Sequence, residues 1–232
     1  MSFSPIGRFT SYDHVSRYRW DREVDGATFV RERVGGLLRQ GFMVAGRKFE
    51  FLGYSQSQLR THSIFAVSPF QYLHPEKGWI TVTASTIRDG LGIFDHIISK
   101  PALYAARLSQ AFSGTEASVE LRADQWEEMD DIIHHGRTFT DGVGTISPEL
   151  SQQIWSGLCT QRQKKPSVPF TPVAFQIRFG GYKGMVVVDP GLTGIMMRLR
   201  PSMRKFEVHE SDMMPLEIAR AFEYPGRMYL NR

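Results

Sequence analysis

Hydrophobic and polar positions alternate most clearly in residues 173–208. Phe175, Ile177 and Phe179 interleave with Gln176 and Arg178, Gly180-Gly181 interrupts, and an apolar run from Met185 to Val188 follows. An alternating strand before the paired glycines and an apolar strand after them predict a hairpin, and further strands are expected up to Val208 at the spacing of a small barrel. Lys48-Phe-Glu-Phe-Leu52 also alternates, so residues 42–54 read as two strands around Gly46, with further short strands at 63–67 and 79–83.

Other stretches follow the helical period. Residues 29–38 suggest a short helix whose end is blurred by Gly35, Gly36 and Gly41. Ser68-Pro69 offers a second helix start, and residues 85–93 read as helix or loop. Lys100-Pro101 opens a helix through Phe112, with proline at its first position and Leu103, Ala106, Leu108 and Ala111 on one face. Within the acidic stretch 121–134, Trp126, Met129, Ile132 and Ile133 are spaced as a helix face. Asp141-Gly142 predicts a hairpin turn between residues 138–140 and 143–146. Ser147-Pro148 then caps a helix carrying Leu150, Ile154, Trp155 and Leu158. Residues 161–172 read as a polar loop and 211–222 as a return to helix. The composite is α+β, with a boundary near 113–136. Residues 1–120 form a mixed region, and 121–232 a β-rich module with one inserted helix.

Composition narrows the class. Of 232 residues, 41% are hydrophobic and 22% charged, as in ordinary globular domains. No apolar run approaches the ~20 residues of a membrane span, and Met1-Ser-Phe-Ser-Pro-Ile-Gly-Arg8 lacks the apolar core of a signal peptide. The single Cys159 excludes an internal disulfide and suits packing. The expected compartment is intracellular, cytoplasmic or nuclear. Net charge is only +4, but residues 160–205 hold nine lysines and arginines with Asp189 as their sole acid. Such clustering is the footprint of a phosphate-binding surface, and its plain alternative is a solvated basic face.

The candidate chemistry lies in that cluster. Lys183 sits in Gly180-Gly-Tyr-Lys-Gly184, which is not a Walker A loop, and a hairpin lysine is by itself more often solvated than functional. Glycines there permit positive φ and close approach of backbone to a ligand. Arg178 shares a strand face with Gln176, either as surface charge or as a phosphate clamp beside Lys183. Arg200 and Lys205 flank Pro201-Ser-Met203, with ordinary surface charge as the alternative. Gln58, Arg60 and His62 precede an apolar strand. Asp141 reads as a structural turn aspartate. His134-His135 with Asp130 and Asp131 resembles a metal set, but adjacent histidines on a helix diverge by about 100°. Glu127-Glu128 reads as an acidic helix face.

Five segments together carry a resemblance. They are Gly46-Arg-Lys-Phe-Glu-Phe-Leu-Gly-Tyr-Ser-Gln-Ser-Gln-Leu-Arg-Thr-His-Ser63, Ala105-Ala-Arg-Leu-Ser-Gln-Ala-Phe-Ser113, Phe139-Thr-Asp-Gly-Val-Gly-Thr-Ile-Ser147, Ala174-Phe-Gln-Ile-Arg-Phe-Gly-Gly-Tyr-Lys-Gly184 and Leu199-Arg-Pro-Ser-Met-Arg-Lys-Phe206. In this order they resemble successive signatures of the eukaryotic cellular RNA-dependent RNA polymerases of RNA silencing. The resemblance implies that the β-rich module is the first of two double-psi β-barrels whose interface forms the active site. It implies catalytic cleft roles for Lys183 and Lys205; beside them Arg178 and then Arg200 are the further phosphate-binding candidates, and Gln58 and Arg60 are candidates to line the path of the nucleic acid and contact its phosphates. RNA template and nucleoside triphosphates are the implied partners. The family's Mg²⁺ or Mn²⁺ is held by an Asp-x-Asp-Gly-Asp motif on the second barrel, and this sequence contains no Asp-x-Asp. The chain is therefore expected to be a fragment, a truncated product or a separately encoded piece, binding no metal and inactive alone. A non-catalytic RNA-binding module and a partner-dependent remnant are the rival expectations.

Overall fold

The computed structural model describes residues 26–54, 64–163, 170–209 and 211–222; Gln58, Arg60 and His62 lie outside the described residues. Helices and sheets are mixed, as in the α+β class. The chain divides into two compact units, residues 1–91 with 95–113, and 92–94 with 114–232.

In the first unit, α1 (Gly26–Gln40) takes Gly35 and Gly36 into its interior rather than ending at them. Strands β1 (Phe42–Val44) and β2 (Arg47–Gly53) are joined by Ala45-Gly46, both at positive φ (48° and 75°), which is the two-residue turn that matches strand twist. Strand β3 (Phe65–Val67) pairs with β2. The helix suggested at Ser68-Pro69 is instead a hairpin of β4 (Phe70–His74) and β5 (Gly78–Val82). His74 Nδ1 accepts the Glu76 and Lys77 backbone N–H groups at 3.1 and 3.2 Å and closes its turn. Helix α2 (Ala84–Gly90) is tied to β2, because Ala84 N–H donates to Glu50 (3.1 Å) and Arg88 donates to the Phe51 carbonyl (2.8 Å). Helix α3 (Pro101–Leu108) runs into a 3₁₀ turn at Ser109–Phe112, and Phe112 stacks on Phe65.

The second unit holds β6 (Glu116–Arg122), β7 (Trp126–Glu128), β8 (Ile133–His134), β9 (Arg137–Thr138), β10 (Val143–Ile146), α4 (Pro148–Gln161), β11 (Ala174–Phe179), β12 (Tyr182–Val188), β13 (Met197–Leu199) and β14 (Met213–Ala221). Seven strands form one sheet in the order β6-β14-β11-β12-β10-β13-β7. The β10–β12 and β7–β13 pairs are parallel and the rest antiparallel. The strands at the two ends of this order, β6 and β7, are separated in the chain only by the 3₁₀ turn Ala123–Gln125. Three residues at about 2 Å rise span little, so the sheet curls until its ends nearly meet.

Inside that curl, Leu150, Ile154 and Leu158 of α4 are fully buried with Phe175, Ile177, Phe179, Leu216 and Ile218. Burial of each contributes about 1.5–3 kcal/mol. Ser147 caps the helix as expected, its Oγ accepting the Leu150 N–H at 3.1 Å. At the other end Arg162 grips Glu116 of β6 through two bonds of 2.7 and 2.8 Å, which hold the Glu116 carboxyl below the usual carboxylate range.

Three expectations are corrected here. Residues 121–134 are not a helix. Leu121 is buried on β6, Trp126 packs edge-on against Phe179 and Tyr182, and Ile132 and Ile133 are exposed, so the helical spacing covers no common face. Glu127-Glu128 therefore lie on a strand, and His134-His135 lie at a hairpin end rather than on a helix. Residues 211–222 are the strand β14, with Leu216 and Ile218 buried in alternation and Pro215 beside a register shift, where a missing N–H is tolerated. Asp141-Gly142 does form a turn, with Val143 N–H on the Thr140 carbonyl at 3.0 Å. It joins no hairpin, however, since β9 pairs with β8 and β10 with β12 and β13.

Candidate nucleic-acid interface

The expected hairpin is β11–β12, turned by Gly180-Gly181 at φ 47° and 86°. The close approach these glycines allow is to the protein's own backbone. A Cβ on Gly181 would lie 2.1 Å from the Phe206 carbonyl oxygen, and the Lys205 N–H donates to the Gly181 carbonyl at 3.0 Å. The turn thus lets the Lys205 segment lie against the Lys183 strand. An antiparallel bridge between Tyr182 and Arg204 continues the same contact.

Lys183 is half-buried and faces Arg178 across the β11–β12 pair, and Arg178 faces Glu217 of β14. These three form a charged row across adjacent strands, on the side of β11 away from buried Phe175, Ile177 and Phe179. Arg178 donates one Nη to the Ile177 carbonyl (2.8 Å), while its buried Nε has no hydrogen-bond partner. Burial lowers its pKa and the Glu217 charge opposes that shift. Lys205 is also half-buried, its ammonium donating to the Ser202 carbonyl.

Arg200 is only 9% exposed, so it is not an ordinary surface charge. Its Nε donates to the Val143 carbonyl (2.9 Å) and one Nη to the Asp130 carbonyl. The structure thus brings Lys183 and Arg178 to paired strands, with Lys205 on the segment bonded to Gly181, and sets Arg200 inward as a tie between segments. Asp141 is exposed at its turn. Among the described residues no three His, Cys, Asp or Glu side chains are grouped to hold a metal ion.

Two polar clusters were not foreseen. In one, Asp131 accepts from the Ser202 N–H (2.9 Å), the Ser202 hydroxyl (2.8 Å) and the Thr140 hydroxyl (2.9 Å). Ser202 Oγ in turn accepts the Gly142 N–H at 3.0 Å. Against burial, which raises it, the Ser202 and Thr140 bonds and the Arg200 charge hold the Asp131 carboxyl below its ordinary range. This knot ties residues 139–147 to 199–206, two of the segments that carried the resemblance. In the other cluster, the Tyr182 hydroxyl donates to Glu128 (2.6 Å) and accepts from Arg204 (2.9 and 3.0 Å), and Arg204 also pairs with Glu128 at 2.8 Å. Burial, reinforced by the Glu128 bond, pushes the Tyr182 hydroxyl up to about 12. The acidic residues Glu128 and Asp131 lay in a stretch misread as helix. That misreading hid their partners, which are distant in sequence.

The comparisons with known proteins agree with the motif order. The family model described as RNA dependent RNA polymerase matches residues 7–232. RNA-dependent RNA polymerase 1 of Arabidopsis thaliana is 38% identical over 209 residues, covering 88% of this chain and 17% of that protein. RNA-dependent RNA polymerase 1 of Schizosaccharomyces pombe is 32% identical over 193 residues, covering 81% and 14%. The chain therefore spans less than a fifth of the length of these relatives. The solved RNA dependent RNA polymerase QDE-1 from Thielavia terrestris has a similar fold, with a TM-score of 0.54 at 18% identity over 78% of this chain and 20% of that one. No helix among the described residues is long and apolar enough to cross a membrane. By the family match and the identity of its relatives over most of its length, the chain belongs to the RNA-dependent RNA polymerase family.

Proposed function

We propose that this chain is the portion of an RNA-directed RNA polymerase that supplies cationic side chains to a phosphate-binding cleft, in an enzyme that makes complementary RNA for silencing. One observation carries the reading. Lys183 and Lys205 lie on chain segments joined by the backbone contact at Gly181, within the region the family model covers. Fixed ammonium groups stabilise charge developing on a transferring phosphoryl group. Arg178 is the next candidate, followed by Arg200 through whatever N–H its two carbonyl bonds leave. Gln58 and Arg60 are proposed as further contacts on the RNA path. The curled sheet with two parallel pairs supports reading the second unit as a double-psi β-barrel.

In the complete enzyme, Mg²⁺ or Mn²⁺ would be held by carboxylates this sequence does not contain, so no metal-dependent step is assigned to these residues. Residues 1–232 alone are expected to incorporate no nucleotide with either ion, and template-directed extension in such an assay would refute this. The lysine reading is tested by RNA affinity across a salt series. Lys183→Ala and Lys205→Ala should each reduce the magnitude of the log–log salt slope by about 0.7 on single strands, and unchanged slopes would overturn it.

A second reading, a remnant that requires a partner chain, is favoured by one feature. Ile132, Ile133 and Phe139, on and beside the β8–β9 hairpin, are 57%, 64% and 68% exposed, an apolar group that a partner would cover. Co-expression with a chain bearing the acidic triad would then raise soluble yield, and no change in yield would count against it.

A further inference from the structure

Each proposed cleft lysine directly follows one member of a cross-strand pair. Tyr182 and Arg204 face each other across an isolated antiparallel bridge, with the Lys205–Gly181 backbone bond beside it. No ladder extends this bridge, because β13 ends at Leu199 and residues 201–203 form a 3₁₀ turn. A single bridge fixes register weakly. Side chains supply what the backbone lacks. The Tyr182 hydroxyl is held between the Arg204 guanidinium and the Glu128 carboxylate, both within 3.0 Å. Arg204 reaches over the Tyr182 ring, 5.4 Å from its centroid, and Trp126 meets the same ring edge-on at 5.9 Å. Alternation along β12 puts Lys183 on the side of the strand away from Tyr182, and Lys205 follows Arg204 just beyond the bridge. The group therefore acts on the lysines through the backbone rather than by touching what they touch.

We infer that Tyr182, Arg204 and Glu128 are a register clamp, positioning residues that set Lys183 and Lys205 at a separation suited to successive phosphates of one RNA strand. The inference rests on the reading of the two lysines given above. A phosphate contact is sensitive to such placement, because ammonium groups that drift apart engage one phosphate instead of two.

The test is fluorescence anisotropy of residues 1–232 with a labelled single-stranded oligouridylate, with thermal unfolding of every variant recorded alongside. Tyr182→Phe keeps the ring and removes the shared hydroxyl. Glu128→Gln keeps a carbonyl acceptor and removes the charge, and it decides the matter should Tyr182→Phe fail to fold. Each should weaken RNA binding about two- to tenfold, the equivalent of one net hydrogen bond. In a Lys205→Ala background the clamp substitutions should cause no further loss, since there is no second ammonium to register. A purely structural role would instead lower the melting temperature and leave affinity unchanged, or add its effect in full to that of Lys205→Ala. Either result, with Lys183→Ala and Lys205→Ala still binding weakly, overturns the clamp and leaves the lysine reading standing. Unchanged binding by both lysine variants overturns both.

Discussion

At the scale of single residues, two glycines in similar turns make a controlled comparison. Gly46 and Gly181 both hold positive φ, but a Cβ on Gly46 meets nothing within 4 Å, whereas one on Gly181 strikes the Phe206 carbonyl. Gly46→Ala should lose only the left-handed penalty, about 1–2 kcal/mol. Gly181→Ala should lose that and more, and urea unfolding will rank them. Asp131 supplies a pH dependence with a fixed sign. Its folded pKa is depressed, so its contribution is present above the unfolded value near 3.9 and is lost as pH falls through the folded one. The melting temperature of the unmodified chain should therefore fall more steeply below about pH 4 than that of Asp131→Asn. The turn lysine and the strand arginine were legible locally, because glycine pairing and alternation act over a few residues. The Asp131–Ser202 knot was not, because its partners are 71 residues apart and no short pattern connects them.

Among elements, α4 and the β11–β12 hairpin were readable because several local preferences agree. Ser147 caps, Pro148 starts, and Leu150, Ile154 and Leu158 share a face. Ser147 also accepts the Met196 N–H at 3.3 Å, which ties the helix start to the chain entering β13. Ser147→Ala should thus cost about 1–2 kcal/mol, at the upper end for a lost cap, measured by equilibrium denaturation. Strands β7 and β14 differ from the helical reading because stretches with few turn residues can imitate a helical spacing, and burial against distant partners overrides that spacing. Trp126 shows this directly. It belongs to a strand because β13 pairs in parallel with it and the Phe179 and Tyr182 rings meet it.

For the whole molecule, the two units differ in how firmly they are built. Residues 174–188 carry fully buried Phe175, Ile177 and Val186 in the seven-stranded sheet, whereas the β4–β5 hairpin leaves Leu73 and Trp79 62% and 71% exposed. Amide exchange should accordingly be slow across 174–188 and fast across 70–82, and equal protection would contradict this picture. The sheet order could not be read from sequence, since parallel pairs and curl depend on chain returns that leave no local trace. That order also bears on synthesis. Strand β6 finds its partner only when β14 emerges, roughly ninety residues later, which at 5–20 residues per second is a delay on the order of ten seconds. Throughout that interval Leu121, which the finished protein almost wholly encloses, lacks its neighbours on β14. The first strand of this sheet to be made therefore waits on the last for its partner.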